Sequence, residues 1–346
     1  MTTRIIYALY MFYLYAFFSI TSAAEEKFLL GAGVHPSKYS LTPQQLVSLL
    51  VKYKIKVIRY DYPWSQVELI KGQYTPPNYK LDELVKVAND NGIKVILILN
   101  YRNKLYGNGK PVTHQEQVAF SKYAAWVANR FKDLNVIYEI WNEWPYLEDE
   151  RLGPPFSKES AIAYVELVKN ASLAIHDAVP NAYIIAGSYN PLNDRFDGWS
   201  EEIIKAGIFN YINALSVHPY SYQKLKFSDP NYGIAVLDKL HSKIKRMINR
   251  DVQFYVTEFG FPDYQASNNL TKIQRFNFTK QYILKAKERG YILGLVWYDL
   301  INDGNDSSVK EHNFGLLDSS LNERKNMSGF SAAEKSLLNN NKVNDQ

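Results

Sequence analysis

Eight short apolar runs punctuate the chain, each closing in polar or aromatic residues: Phe28 to His35, Lys56 to Tyr60, Lys94 to Asn100, Asn135 to Trp141, Ala182 to Ser188, Ala214 to His218, Gln253 to Glu258 and Ile292 to Tyr298. Between them lie stretches whose apolar residues recur at three and four, the spacing of an amphipathic helix. These are Pro43 to Tyr53, Leu81 to Asn91, Gln115 to Phe131, Ser160 to Ala178, Trp199 to Ala206, Ala235 to Ile248 and Lys272 to Arg289. The connection after Ser188 is the weakest, with only Trp199 to Ala206 as its helix. Continuous Val, Ile and Leu in strands that alternate with helices mark a parallel sheet covered on its outer face, and eight alternations favour closure into a barrel. The pattern therefore predicts an α/β fold, a single (β/α)8 TIM barrel over residues 25–338. An open doubly wound sheet is the competitor, but no Gly-x-Gly-x-x-Gly loop follows any strand.

The ends of the chain read differently. Met1 to Arg4 is a short positive segment, about Ile5 to Ile20 is apolar, and Thr21-Ser22-Ala23-Ala24 offers small residues for cleavage. Residues 1–24 thus predict a signal peptide and a secreted or periplasmic protein, the alternative being an uncleaved anchor. No other segment is long and apolar enough to span a membrane, so no stable membrane association is expected once the signal is cleaved. A last helix is expected near Ser328 to Leu338, followed by a polar, disordered tail over 339–346. The triplets Asn269-Leu270-Thr271 and Asn277-Phe278-Thr279 bear on glycosylation only in a eukaryotic secretory pathway.

Composition narrows the partners. The 40 basic and 35 acidic residues of the 346 are dispersed, so no arm or stripe points to nucleic acid. Cysteine is absent, which excludes disulfides, thiolate metal sites and a cysteine nucleophile. No His-x-His or His-Glu-x-x-His spacing occurs, and neither metal nor cofactor is expected. The 27 tyrosines and 6 tryptophans serve either packing or sugar stacking, and their position at strand ends decides between the two.

In a barrel of this kind the site forms at the C-terminal ends of the strands. Those ends carry His35; Arg59, Asp61 and Trp64; Asn100, Tyr101 and Arg102; Asn142 and Glu143; His218 and Tyr220; Glu258; Trp297 and Asp299. One or two polar strand ends would be ordinary turn chemistry, whereas seven strands converging on one mouth point to a catalytic pocket. Two glutamates closing two strands suggest glycoside hydrolysis. In Tyr138-Glu139-Ile140-Trp141-Asn142-Glu143-Trp144 the second glutamate stands between two indoles, which predicts a desolvated carboxyl suited to a general acid and ring faces suited to a sugar.

Trp141-Asn142-Glu143 on strand four, His218-Pro219-Tyr220 after strand six, Thr257-Glu258-Phe259-Gly260 on strand seven and Trp297 on strand eight resemble glycoside hydrolase clan A. These are retaining β-glycosidases on a β/α barrel, and the resemblance covers roughly Phe28 to Leu338. Glu-Ile-Trp-Asn-Glu and Glu311-His312-Asn313-Phe314-Gly315-Leu316 are most similar to family 39, with family 5 cellulases next. The resemblance implies Glu143 as acid/base and Glu258 as nucleophile of a double displacement. Arg59 and Tyr220 are suited to donate to Glu258, Asn142 to bind the sugar 2-hydroxyl, and His218 to position Glu143 or the sugar. Trp297 resembles the clan's platform beneath the ring.

Alternatives accompany these assignments. Arg59 also fits an ion pair with Asp61 or Glu139, and Glu139 fits a hydrogen-bonded interior carboxylate. His35 and Asn100 line a subsite or hold the rim. Trp64, Trp141, Trp144 and Tyr146 are candidate glycan subsites, with Trp141 alternatively packed inside the barrel. His114, His176 and His241 lie away from the mouth. Trp144 departs from the clan's wording, standing where proline usually follows the glutamate, and is expected beside the leaving sugar. The function expected is that of a secreted, endo-acting hydrolase of a polysaccharide or oligosaccharide. A non-catalytic glycan-binding barrel or a transglycosylase would use the same scaffold.

Overall fold

The computed structural model describes residues 28–221, 229–264 and 270–344. The expected signal segment lies outside the described residues. Eight parallel strands close into a barrel in sequence order: β1 (Leu29–Gly33), β2 (Val57–Asp61), β3 (Lys94–Leu99), β4 (Val136–Ile140), β5 (Tyr183–Tyr189), β6 (Ala214–Val217), β7 (Gln253–Phe259) and β8 (Ile292–Trp297). The helices are α1 (Pro43–Lys52), α2 (Trp64–Val67), α3 (Tyr79–Asp90), α4 (His114–Arg130), α5 (Lys158–Ala178), α6 (Asp197–Lys205), α7 (Pro230–Ile248), α8 (Lys272–Lys287) and α9 (Lys325–Asn344).

Local chemistry sets the helix starts. Thr42, Thr113 and Thr271 each accept a backbone N–H three residues on, while Gln45, Glu116 and Gln274 reach back to the cap nitrogen. Each such reciprocal cap satisfies two amides that the helix itself leaves without partners. Asn78, Ser157 and Asp229 cap α3, α5 and α7 from the side chain alone.

The core has two layers. Outside the barrel, strand residues such as Ile58, Leu97, Ile140 and Leu295 pack against the helices. Inside, Val57, Ile96, Ile137, Ile185, Ala214, Tyr255, Leu293 and Val296 form an apolar plug. Side chains alternate across a strand, so the positions two residues further on, Arg59, Glu139, Ser216 and Thr257, enter the same lumen one layer higher. These four are buried. The barrel floor is oily and its upper storey polar.

The final helix departs from expectation. It continues to Asn344 instead of giving way to disorder after Leu338, and residues 345–346 lie outside the described ones. Met327, Phe330 and Ala333 of α9 are buried, and the helix packs on α8. A helix already nucleated and docked adds one hydrogen bond per residue, so polar composition alone does not stop it. Among the described residues no helix is long and apolar enough to cross a membrane.

Candidate active site

A cleft of about 380 Å3 opens at the C-terminal ends of the strands. It is lined by His35, Arg59, Asp61, Tyr101, Asn142, Glu143, Tyr146, Asn190, Asn193, Tyr220, Glu258, Tyr298, Lys310, Glu311 and Phe314, among others. Glu143 and Glu258 face each other across it. A carboxylate oxygen of each and a ring nitrogen of His218 all lie within 4.8 Å of one another.

Glu258 is held on both oxygens. Arg59 Nη1 donates to Oε1 at 2.7 Å and the Tyr220 hydroxyl donates to Oε2 at 2.7 Å. Burial pushes its pKa up, but the charges of His218 and Arg59 and the bonds from Tyr220 and Arg59 outweigh that, and the carboxyl is held below the ordinary glutamate range. The same burial, together with Glu258, pushes the Tyr220 phenol well up, so the hydroxyl keeps its hydrogen and donates.

Arg59 divides its guanidinium three ways. Nε donates to Glu139 Oε2 at 2.5 Å, Nη1 to Glu258, and Nη2 to Asn142 Oδ1 at 2.7 Å. Burial works against its charge, but Glu139 and Glu258 reverse that and raise its pKa. Arg59 therefore pairs with the interior Glu139 and with Glu258 in the cleft through one side chain. Glu139 is the interior hydrogen-bonded carboxylate that the strand pattern suggested. Asn142 Nδ2 donates to the Tyr101 hydroxyl at 2.7 Å, which fixes the amide with its second N–H toward the cleft.

Glu143 sits beyond the end of β4 with its side chain about 33% exposed. His218 Nδ1 is 3.1 Å from its Oε1, and His218 Nε2 is 3.1 Å from Thr257 Oγ1. The backbone takes the left-handed conformation at Trp141 (φ 64°) and Glu143 (φ 51°), unusual for residues with bulky side chains. Those two turns break the strand's alternation and aim Glu143 into the mouth while both indoles rotate away.

That rotation corrects the expected indole clamp. Trp141 and Trp144 are fully buried and pack edge to face at 5.3 Å, Trp141 against Phe120 of α4 and Trp144 against Tyr164 of α5. Trp144 Nε1 donates to the Ser160 carbonyl and hydroxyl, each at 3.0 Å. Trp144 thus anchors the loop to a helix and offers no face to a sugar. Trp141 lies between barrel and helix, not inside the lumen.

Three further candidates are closed off from the cleft. Trp64 is buried, stacks on Tyr106 and donates to Glu68, because the short helix α2 folds it outward. Asn100 is buried and spends its amide on Asp61. Trp297 is buried on the helix side against Phe259, with Nε1 donating to the Phe314 carbonyl at 3.0 Å. Alternation over the last residues of β8, beyond its register shift near Gly294, explains this last correction: Val296 faces the lumen, Leu295 and Trp297 the helices. The ring in the cleft on β8's side is the next residue, Tyr298.

His35 does line the cleft, bonded through Nδ1 to Asp303 at 2.6 Å. Sequence reading had overlooked Tyr298, Asn190, Asn193, Lys310 and Phe314. The Glu311-to-Leu316 motif carried a signal for the last group, since the loop after β8 folds it back over the mouth. Asn190 and Asn193 follow β5, the one strand whose end had drawn no candidate.

Two groups of side chains have the geometry to hold a metal ion, His35 with Asp299 and Asp303, and Glu143 with His218 and Glu258. Each group joins residues from distant strands and loops, so no local spacing motif revealed it. Cationic groups already occupy both: Lys38 is 2.6 Å from Asp303, and Arg59 holds Glu258.

The family model for Cellulase (glycosyl hydrolase family 5) matches residues 23–300. No curated protein sequence matches the chain. Among solved structures, a family 39 glycoside hydrolase from the gut symbiont Bacteroides cellulosilyticus WH2 superposes with a TM-score of 0.68 at 23% identity, over 89% of this chain and 64% of that one. The chain thus spans somewhat less than two thirds of that protein. Xylanase 10B from Thermotoga petrophila RKU-1, in complex with xylobiose, gives 0.67 at 14% identity over 91% and 96% of the two chains. GH5_18 from Streptomyces cattleya, in complex with GlcNAc, gives 0.68 at 14% over 90% and 80%. At these identities the structures share the barrel fold. Families 39 and 5, ranked in that order from the motifs, both appear, and the sequence model that matches is the second. With four fifths of its length under that model, the chain belongs to glycosyl hydrolase family 5 and is a glycoside hydrolase of the clan A barrel.

Proposed function

We propose that the protein is a secreted, retaining, endo-acting β-glycan hydrolase in which Glu258 is the nucleophile and Glu143 the acid/base. The observation that carries this reading is the approach of the two carboxylates to within 4.8 Å around His218, with Glu258 alone held by Arg59 and Tyr220. Carboxyl groups about 5 Å apart suit direct attack on the anomeric carbon, whereas inverting enzymes leave roughly 6.5–9.5 Å for an intervening water.

The geometry divides the work. Glu258, held ionised, attacks the anomeric carbon as the glycosidic C–O bond breaks, and the proton of Glu143 passes to the departing oxygen. A glycosyl ester on Glu258 results. Glu143, now a carboxylate, takes a proton from water as that water attacks the ester carbon, which restores both groups and releases the sugar. The remaining N–H of Asn142 is placed for the 2-hydroxyl, and Tyr298 is the ring suited to lie against the sugar.

Membership of a family described as cellulases supports a β-linked polysaccharide as substrate. Tyr146, Tyr298 and Phe314 extend an aromatic lining along the cleft, which supports binding of several sugar units. Export rests on the sequence of residues 1–24, and sequencing the N-terminus of protein recovered outside the cell tests it. A polysaccharide digestion panel with Glu258→Gln as control tests the activity. Release of oligosaccharides by the wild type alone supports the reading, and no cleavage of any β-glycan by the wild type overturns it.

A further inference from the structure

The seam where the barrel closes, between β8 and β1, gathers ionisable side chains that the proposed hydrolysis does not use. His35 and Lys38 follow β1, and Asp299 and Asp303 follow β8. The two loops are tied by the Leu300 N–H, which donates to the Gly33 carbonyl at 2.9 Å, so their side chains meet on a fixed frame. His35 Nδ1, Asp299 and Asp303 bring one nitrogen and two carboxylate oxygens within 4.8 Å of one another.

The two aspartates are treated unequally. Asp303 meets His35 Nδ1 through Oδ1 and accepts from Lys38 through Oδ2, each at 2.6 Å. Asp299 has neither partner. Its side chain is 1% exposed, and both oxygens are buried without a hydrogen bond. The Tyr39 hydroxyl, close enough to feel the charges of both aspartates, is buried and without a partner too. Lys38 reaches Asp303 alone, from the solvent side with its own chain 57% exposed, and leaves Asp299 without a counter-charge. A buried carboxylate in that position is costly unless a cation joins it.

The separations indicate which cation. Asp299 Oδ2 stands 3.6 Å from His35 Nδ1, too far for a hydrogen bond. Two ligands at about 2.1 Å from a tetrahedral zinc ion lie roughly 3.4 Å apart, close to that spacing. Only the shorter contact between His35 and Asp303 must open to admit the ion. Calcium and magnesium take oxygen ligands, whereas an imidazole nitrogen with two carboxylates suits zinc.

We infer that His35, Asp299 and Asp303 form a binding site for one zinc ion, which pins the loop after β8 to the loop after β1. The ion neutralises both carboxylates, Lys38 turns out to solvent, and the fourth position is left to water. Ligation needs Nδ1 bare, so its hydrogen passes to Nε2 or to solvent. His35 lines the cleft and packs edge to face on Tyr298 at 5.7 Å, so the ion also steadies that ring. The site is independent of the roles given to Glu143 and Glu258.

Titration of chelator-treated protein with ZnCl2 tests this, in a Glu258→Gln background that leaves the other ligating group incomplete. Calorimetry is expected to show one zinc per chain, and Tm to rise by about 4 °C at a hundredfold excess over Kd. Asp299→Asn and Asp303→Asn, close in shape, are each expected to weaken binding by at least about 10-fold, while Lys38→Ala binds as tightly as its parent or more so. Anomalous scattering at the zinc edge locates the ion, and a peak among His35, Asp299 and Asp303 supports the inference. No bound zinc, a peak only beside Glu143 and His218, or affinity unchanged in both Asn variants would overturn it. Should a variant not fold, the position of the peak in the wild-type protein decides.

Discussion

Tyr220 donates its hydroxyl to Oε2 of Glu258 at 2.7 Å, on the side of the carboxylate opposite the guanidinium of Arg59. Two donors on two oxygens fix the plane of this carboxylate and favour its charged form. They also leave a lone pair on each oxygen outside these two bonds, and one of these is available for attack.

Removing that phenol makes Glu258 easier to protonate. As the proposed nucleophile Glu258 attacks only when ionised, so the acid limb of kcat/KM is expected to report its titration, which is held below the usual glutamate range. In Tyr220→Phe the limb is expected to move to higher pH, with kcat/KM at neutral pH reduced by about 10-fold, a charge-assisted hydrogen bond's contribution. A pH–rate profile of the two proteins checks this; an unmoved limb would contradict it.

Trp144 is expected to matter for stability and not for specificity. Its ring fills the space between Trp141 and Tyr164, and truncation to Ala is expected to cost about 3–5 kcal/mol. Trp144→Phe, milder in volume, is expected to lower the Tm while leaving the ranking of substrates unchanged. Thermal melts and a substrate panel separate the two effects.

Tyr298 is expected to behave the opposite way. It stands in the cleft where Trp297 had been looked for, and Tyr298→Ala is expected to raise KM by roughly 3- to 10-fold, the worth of one ring contact, with kcat also affected if the ring supports the distorted sugar. Trp297→Phe should show a stability change and an unaltered KM. Steady-state kinetics on the same glycan decides.

Asp299 offers a pH test of stability. The carboxyl is buried with neither oxygen hydrogen-bonded, and His35 Nδ1 stands 3.6 Å away, too far to donate. Burial, with Asp303 beside it, raises its pKa well above the usual aspartate value. The folded state therefore binds a proton more tightly than the unfolded chain, and stability falls as pH rises from the unfolded value toward the folded one. Asp299→Asn is expected to be more stable than wild type at pH 7, with the difference closing below about pH 4, where both forms are neutral. Denaturation at the two pH values measures it.

The barrel itself was legible because eight apolar runs and the helices between them repeat one unit, and all eight strands fall within two residues of their expected bounds. Arg59, Glu139 and His218 were legible for a related reason, since strand parity turns them into the mouth of a closed barrel, while Asn142 and Glu258 stand one step off that alternation and were legible from their motifs at the strand ends. The aromatic residues were not. Whether Trp64, Trp144 or Trp297 faces sugar or helix depends on a short helix, two left-handed residues and one step of strand parity. Apolar character is the same on either side of the wall, so composition does not choose. Tyr298 and Phe314 were hidden by the same degeneracy, and Asn190 and Asn193 by a loop whose path no periodicity encodes. The tail to Asn344 shows the converse, a polar sequence kept helical by the docked turns before it.

The central claim is that Glu258 forms the covalent bond to the sugar. Incubation with 2,4-dinitrophenyl 2-deoxy-2-fluoro-β-glycosides of cellobiose, xylobiose and mannobiose, followed by peptide mass spectrometry, tests it most directly. One fluoroglycosyl label on the peptide containing Glu258, absent in Glu258→Gln, is the result expected. A label on any other residue, or turnover of these substrates' unfluorinated parents by Glu258→Gln, would contradict it.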